Sequence, residues 1–129
     1  MSAFKEICLE NLSDEQGQIS TAENAAWGLK ERSPADGQRR FRSDRFALGT
    51  RPSDESCAVT AELDSATKLK DVESAFTKVL GSGEPQSLGQ PDSVYWLIET
   101  QPDNRRRSIA LKVSNKTGAN LATFVVAKL

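Results

Sequence analysis

Two cysteines and a complete lack of histidine set the chemistry open to this 129-residue chain. Without imidazole, no serine or cysteine has the usual base to activate it. Two cysteines alone cannot complete a four-cysteine zinc site. Cys8 and Cys57 lie far apart and lack CxxC spacing. Two readings stand for them. They are buried free thiols in a reducing compartment, or they form one disulfide in an exported domain; the bridge is favoured. Closing a loop of this length contributes about 4 kcal/mol in the chain-entropy account. No serine sits in a glycine elbow, and neither cysteine has a neighbouring base to lower its thiol pKa. Acidic neighbours such as Asp54 with Glu55, Glu62 with Asp64 and Asp14 with Glu15 read as solvated surface and match no calcium loop. Gly81-Ser82-Gly83 follows a helical stretch instead of opening one, and lacks the Lys-Ser/Thr step of a phosphate cradle. The expectation is a non-enzymatic domain with no catalytic residues, no metal and no cofactor.

What remains is recognition. Arg39-Arg40-Phe41-Arg42 and Arg45-Phe46 interleave arginine with aromatics, and Arg105-Arg106-Arg107 adds a second cluster. Arginines and aromatics on a sheet can hold phosphates and stack bases. The net charge of -1 opposes that use, so nucleic acid is the weaker alternative. The same arginines also read as charged sheet ends that block edge-to-edge pairing. Charge alternates along the chain: the net is -4 over residues 1–29, +4 over 30–51, -7 over 52–104 and +6 over 105–129. Such segments either complement each other internally or form a dipolar surface for an acidic partner. Tyr95 and Trp96 point to opposite faces of one strand, and tyrosine, tryptophan and arginine are frequent interface anchors. Tyr95, Arg105, Arg106, Arg107 and Trp27 are therefore the candidate interface to an unknown protein partner.

The elements that would position these residues follow from periodicity. Phe4, Ile7 and Cys8 share one helical face, predicting a short helix over 3–11. Polar residues 12–18 read as loop. Ser20-Thr21-Ala22-Glu23 reads as a capping box opening a second helix that stops before Pro34. Pro34 to Gly37 reads as a turn. Phe41 and Phe46 break strand parity, so either a bulge lies near Ser43-Asp44 or only 44–49 is a strand. Residues 49–54 read as turn. Cys57, Val59, Ala61 and Leu63 share one face of a strand over 56–63. Leu69, Val72, Phe76, Val79 and Leu80 form one stripe, predicting a helix over 65–80, capped by Asp64 or Ser65 and stopped by Gly81. Gly81 to Pro91 reads as a flexible connection. Strands over 93–100, 106–114 and 119–128 close the chain, the last two joined by the turn Asn115-Lys116-Thr117-Gly118. The apolar run 124–127 implies a central strand covered on both faces, or an interface. The expected fold is α+β: one domain, 1–129, with an antiparallel sheet of four or five strands, one long helix (65–80) on one face and two short N-terminal helices. No run is long and apolar enough to span a membrane, and Met1 to Glu6 has no apolar signal-peptide run.

Phe4-x-x-Ile7-Cys8-Leu9, the small-residue segment ending in Trp27-Gly28, Cys57-Ala58-Val59 and the later Trp96 with two closing strands resemble small secreted proteobacterial α+β domains of unknown function. That resemblance spans nearly the whole chain. It implies export, periplasmic or secreted, and a Cys8–Cys57 bridge, but no activity. Bacterial immunity proteins and enzyme inhibitors share the size and acidity. Type III secretion chaperones are also acidic and of similar length, which keeps a cytosolic chaperone or adaptor as the alternative. Chaperones of that kind usually end in a helix, whereas this chain is expected to end in a strand.

Overall fold

Alternation of buried and exposed side chains runs through most of the chain, and strands result. The computed structural model describes residues 2–12, 14–24, 27–35, 37–51, 53, 55–63, 67, 69–80, 86–87, 93–100, 105–116 and 119–128. They contain β1 (Lys30–Ala35), β2 (Gln38–Arg42), β3 (Phe46–Arg51), β4 (Ser56–Leu63), β5 (Gln86–Ser87), β6 (Ser93–Thr100), β7 (Arg105–Lys116) and β8 (Ala119–Lys128). All pair antiparallel in one sheet of order β1-β2-β3-β4-β8-β7-β6-β5. Two four-stranded meanders thus meet where β4 pairs with β8, with Val59 opposite Phe124 and Cys57 opposite Val126.

One face of this sheet carries the core. Phe41, Leu48, Val59, Val94, Trp96, Ile109, Leu111, Phe124 and Val126 all point to it and are buried. Three helices cover it: α1 (Ser2–Ile7), α2 (Glu15–Glu23) and α3 (Leu69–Leu80). Phe4 of α1 stacks on Phe124 at 5.1 Å between ring centroids, Phe76 of α3 meets Phe124 at a tilt at 4.7 Å, and Phe76 lies edge-on to Trp96 at 5.1 Å. Trp96 is wholly buried, and its Nε1 finds no acceptor among the described residues. An unmade bond of that kind costs about 1–3 kcal/mol, which the ring's packing must outweigh.

A six-residue helix is too short to hold itself. α1 is held by burial of Ala3, Phe4 and Ile7 and by the disulfide between Cys8 and Cys57, whose Cα atoms lie 5.6 Å apart. Polar bonds tie it to α2. Asn11 Nδ2 donates to the carbonyls of Glu6 and Ile7 at 3.0 and 3.1 Å, and Gln18 Nε2 donates to the carbonyl of Asn11 at 2.9 Å. Asp14 caps α2 by accepting from the Gly17 amide at 3.1 Å. A Cβ on Gly17 would lie 2.5 Å from Asp14 Oδ2 and 2.6 Å from Asn11 Oδ1. Gly17→Ala should therefore lower the melting temperature, although helix propensity alone favours alanine by about 1 kcal/mol. Loss of the cap, worth roughly 0.5–2 kcal/mol, decides the sign. A Tm equal to or above the parent's would show the cap to be idle.

The expected architecture needs correction in several places. The chain is α+β, but among the described residues its sheet has eight strands instead of four or five. No long helix over 65–80 lies on it: α3 runs Leu69–Leu80, and Thr67 before it is non-helical, its carbonyl accepting from Asn120 Nδ2 at 3.4 Å. The expected caps Asp64, Ser65 and Gly81 lie outside the described residues. The Ser20–Glu23 box does not start a helix; Asp14 starts α2 earlier, and Asn24 follows its last residue. Residues 30–35, expected as helix and turn, form edge strand β1. An edge strand exposed on both faces has no apolar alternation to announce it. Phe41 and Phe46 differ in parity because they stand on different strands, joined by a tight turn over Ser43–Arg45 where the Ser43 amide donates to the Phe46 carbonyl at 2.9 Å. The presumed turn after Gly49 is the end of β3. Within Gly81 to Pro91, Gln86–Ser87 is strand β5, and the rest lies outside the described residues.

Candidate functional site

Alternation on the β1–β2 hairpin sorts its charges by face. Phe41 is buried on the helix side, and Glu31, directly opposite it, points the same way. Arg39 shares that side. Its Nε and Nη2 donate to the two Glu31 carboxylate oxygens at 2.9 and 2.8 Å, and its guanidinium carbon lies 5.6 Å from the Phe41 ring centroid. Next to it, Thr50 Oγ1 donates to Glu15 Oε2 of α2 at 3.0 Å.

The hydrogen bond from Arg39 holds the Glu31 carboxyl below its ordinary value. A lowered folded value means the contribution is present at neutral pH and is lost as pH falls through that value. Both side chains are well exposed, so water screens the pair and stability changes little. NMR titration should find the Glu31 midpoint below the ordinary glutamate value, and Arg39→Ala should raise it.

On the opposite face, the register puts Lys30 across from Arg42 and Arg32 across from Arg40. All four side chains are exposed, and none has an ion-pair partner among the described residues. Directly opposed residues lie about 4.5–5.5 Å apart, and alternate residues of one strand about 6.7 Å apart. The result is a compact square of four cations. It borders an open cleft of about 560 Å³ lined by Gly28, Lys30, Arg32, Arg42, Ser43 and Asp44. Like charges directly opposed destabilise a strand pair, so the square spends stability that a neutral hairpin would keep. Four cations held this close create a positive potential at one end of the sheet.

Inward from the square, the same face is small and uncharged at its centre. Ala47, Ala58, Thr60, Ala110, Thr123 and Val125 are half-buried there, and the Thr60 and Thr123 hydroxyls bond at 3.1 Å. None of α1, α2 and α3 covers this face. A shallow cleft of about 350 Å³ opens between Ser93, Lys112 and Ser114.

The residues expected at an interface do not share one face. Tyr95 lies on the uncovered face, half-buried, its hydroxyl donating to Gln86 Oε1 at 3.0 Å, with exposed Leu97 along the same strand. Trp27 stands on the helix side, edge-on to Phe46 at 5.4 Å. Arg107 is 1% exposed and faces the core, which corrects its placement in an exposed patch: strand parity alternates through Arg105-Arg106-Arg107, so three adjacent arginines cannot share a surface. Arg105 and Arg106 pair with Thr100 and Glu99 across β7 and β6, and their side chains lie outside the described residues. Sequence reasoning noted Arg40 and Arg42 as part of a cluster but missed Lys30 and Arg32. The available signal is Lys-Glu-Arg at 30–32, which puts both cations on one face and the acid on the other once a strand is assumed. Compared with protein-family models, curated proteins and solved structures, the chain matches none.

Proposed function

We propose that this chain is a non-enzymatic, exported protein-binding domain of the inhibitor or immunity kind, which docks on an acidic protein surface through the outer face of its β1–β2 hairpin. The square of Lys30, Arg32, Arg40 and Arg42 carries this reading. A cluster of cations without ion-pair partners among the described residues, set on a sheet face whose centre is uncharged, complements an acidic surface and speeds its capture. The Cys8–Cys57 bridge supports an oxidising compartment, since disulfides persist there and are rare in the cytosol. No described helix is long and apolar enough to cross a membrane.

The test is site-directed cross-linking in native extract, with a photoreactive phenylalanine analogue at Ala47, which faces Arg42 across the strand pair. The expected product is one acidic protein trapped stoichiometrically. Lys30→Glu with Arg42→Glu should abolish it, and Lys30→Arg with Arg42→Lys should not. Trapping that ignores the charge reversal, or nucleic acid bound in place of protein at ~0.15 M salt, sinks the proposal.

A further inference from the structure

We infer that β1 receives an extended acidic segment of the partner as an added strand, with acidic residues at alternate positions. This rests on the reading just given and deepens it. β1 is terminal in the sheet, and among the described residues it pairs only with β2. A free strand edge offers backbone donors and acceptors that an extended peptide can complete, and the side chains on either face then set which peptide fits. Along β1 the charges alternate by face: Lys30 and Arg32 lie on the uncovered side, and Glu31 lies on the helix side.

An added strand at about 4.8 Å carries its own side chains in line with the existing cross-strand rows. One row becomes acid–Lys30–Arg42 and the next acid–Arg32–Arg40. Each acid then relieves a pair of like charges that the hairpin otherwise holds opposed. The position between the two acids faces the side of Glu31, so an acidic residue there is repelled. The favoured segment therefore reads acidic, non-acidic, acidic. The cleft beside Lys30 and Arg32 leaves room for its end, and Asp44 is the one acid among the residues lining it.

Length is limited as well. Register breaks between Arg32 and Ala35, and Pro34 has no amide to donate. Only the stretch from Lys30 to about Ser33 offers a regular edge, so the docked segment is short. A second copy of this chain is a poor occupant, because antiparallel pairing of two β1 strands sets cations against cations.

Two short synthetic peptides of identical composition test this on the intact protein. One carries glutamates at alternate positions and the other carries them in a block. Amide NMR titration should show the alternating peptide binding about tenfold tighter or more, with slowed hydrogen exchange confined to Lys30–Ser33. Arg32→Glu should erase the preference. Equal binding of both peptides without protection of β1 overturns strand addition and leaves electrostatic docking of a folded acidic surface standing. Failure of both peptides, while the cross-linked partner is still lost on charge reversal, overturns it in the same way. Self-association of a Lys30→Thr, Arg32→Thr variant with no peptide bound by the parent marks the cations as an edge guard and overturns it too. Binding of the alternating peptide without any cross-linked protein supports the strand site and removes the earlier reading instead.

Discussion

Replacing Cys8 and Cys57 together by alanine lowers the unfolding free energy by about 4 kcal/mol. The bridge joins residues separated by 49 positions, and the entropy of closing a loop of that size in the unfolded chain sets the figure. Stability of a domain this size is about 5–15 kcal/mol, so the loss is a large fraction of the whole. In thermal melts it corresponds to a drop of roughly 10–20 °C. The closed loop holds α2, β1, β2 and β3, including the entire cationic hairpin. Both cysteines have no exposed surface, so a reductant reaches them only when α1 lifts off. Reduction of the native protein should then be slow and should speed up in mild denaturant. A double-alanine variant that melts within a few degrees of the parent would falsify the bridge's part in holding α1 to the sheet.

The bridge also shows where sequence and structure agree and where they part. Alternation with Val59 puts Cys57 on the inner face of a strand, and helical spacing puts Cys8 on one face with Phe4 and Ile7. Both placements are local patterns backed by apolar side chains, and both are seen. Strands β4, β6, β7 and β8 were legible for the same reason: each buries one face, so period two appears in hydrophobicity. β1 was not. Its residues Lys30, Glu31, Arg32, Ser33 and Pro34 are all exposed, and their alternation is one of charge sign, visible only after the partner strand is known. β2 and β3 were half legible, because Phe41 and Phe46 both face the core but a turn resets parity between them. The miscounted sheet follows from these two lapses and from β5, which is only two residues long. The candidate site suffered most. Its cations come from two strands, and the pairing that makes a square of them is a fact of register, which composition does not carry. Arg107 failed in the opposite direction: a visible run of arginines suggested a patch, and alternation turned one of them into the core.

Phe76→Ala should cost about 3–5 kcal/mol, the range for removing a fully buried aromatic side chain. Phe76 is the hub of the aromatic cluster. Its ring centroid lies 4.7 Å from that of Phe124, 5.1 Å from that of Trp96 and 5.7 Å from that of Phe4. Such contacts add about 0.5–1.5 kcal/mol each beyond area burial. The ring is also the main anchor of α3. Among that helix's described side chains only Val72 and Phe76 are buried, while Leu69 is half-buried. Twelve residues are too few for a helix to persist alone in water, so loss of the anchor should detach α3 and uncover Trp96 and Phe124. Chemical denaturation gives the energy, and a red-shifted tryptophan emission reports the uncovered indole. Phe76→Leu keeps most of the volume and should cost clearly less, with emission unchanged. The two meanders still pair through β4 and β8 in either variant, so the hairpin square should stay folded and should keep any anion affinity it has. Loss of that affinity in Phe76→Ala at temperatures well below its melt would mean that the helix side and the cationic face are energetically coupled through the sheet, and that α3 does more than cover the core.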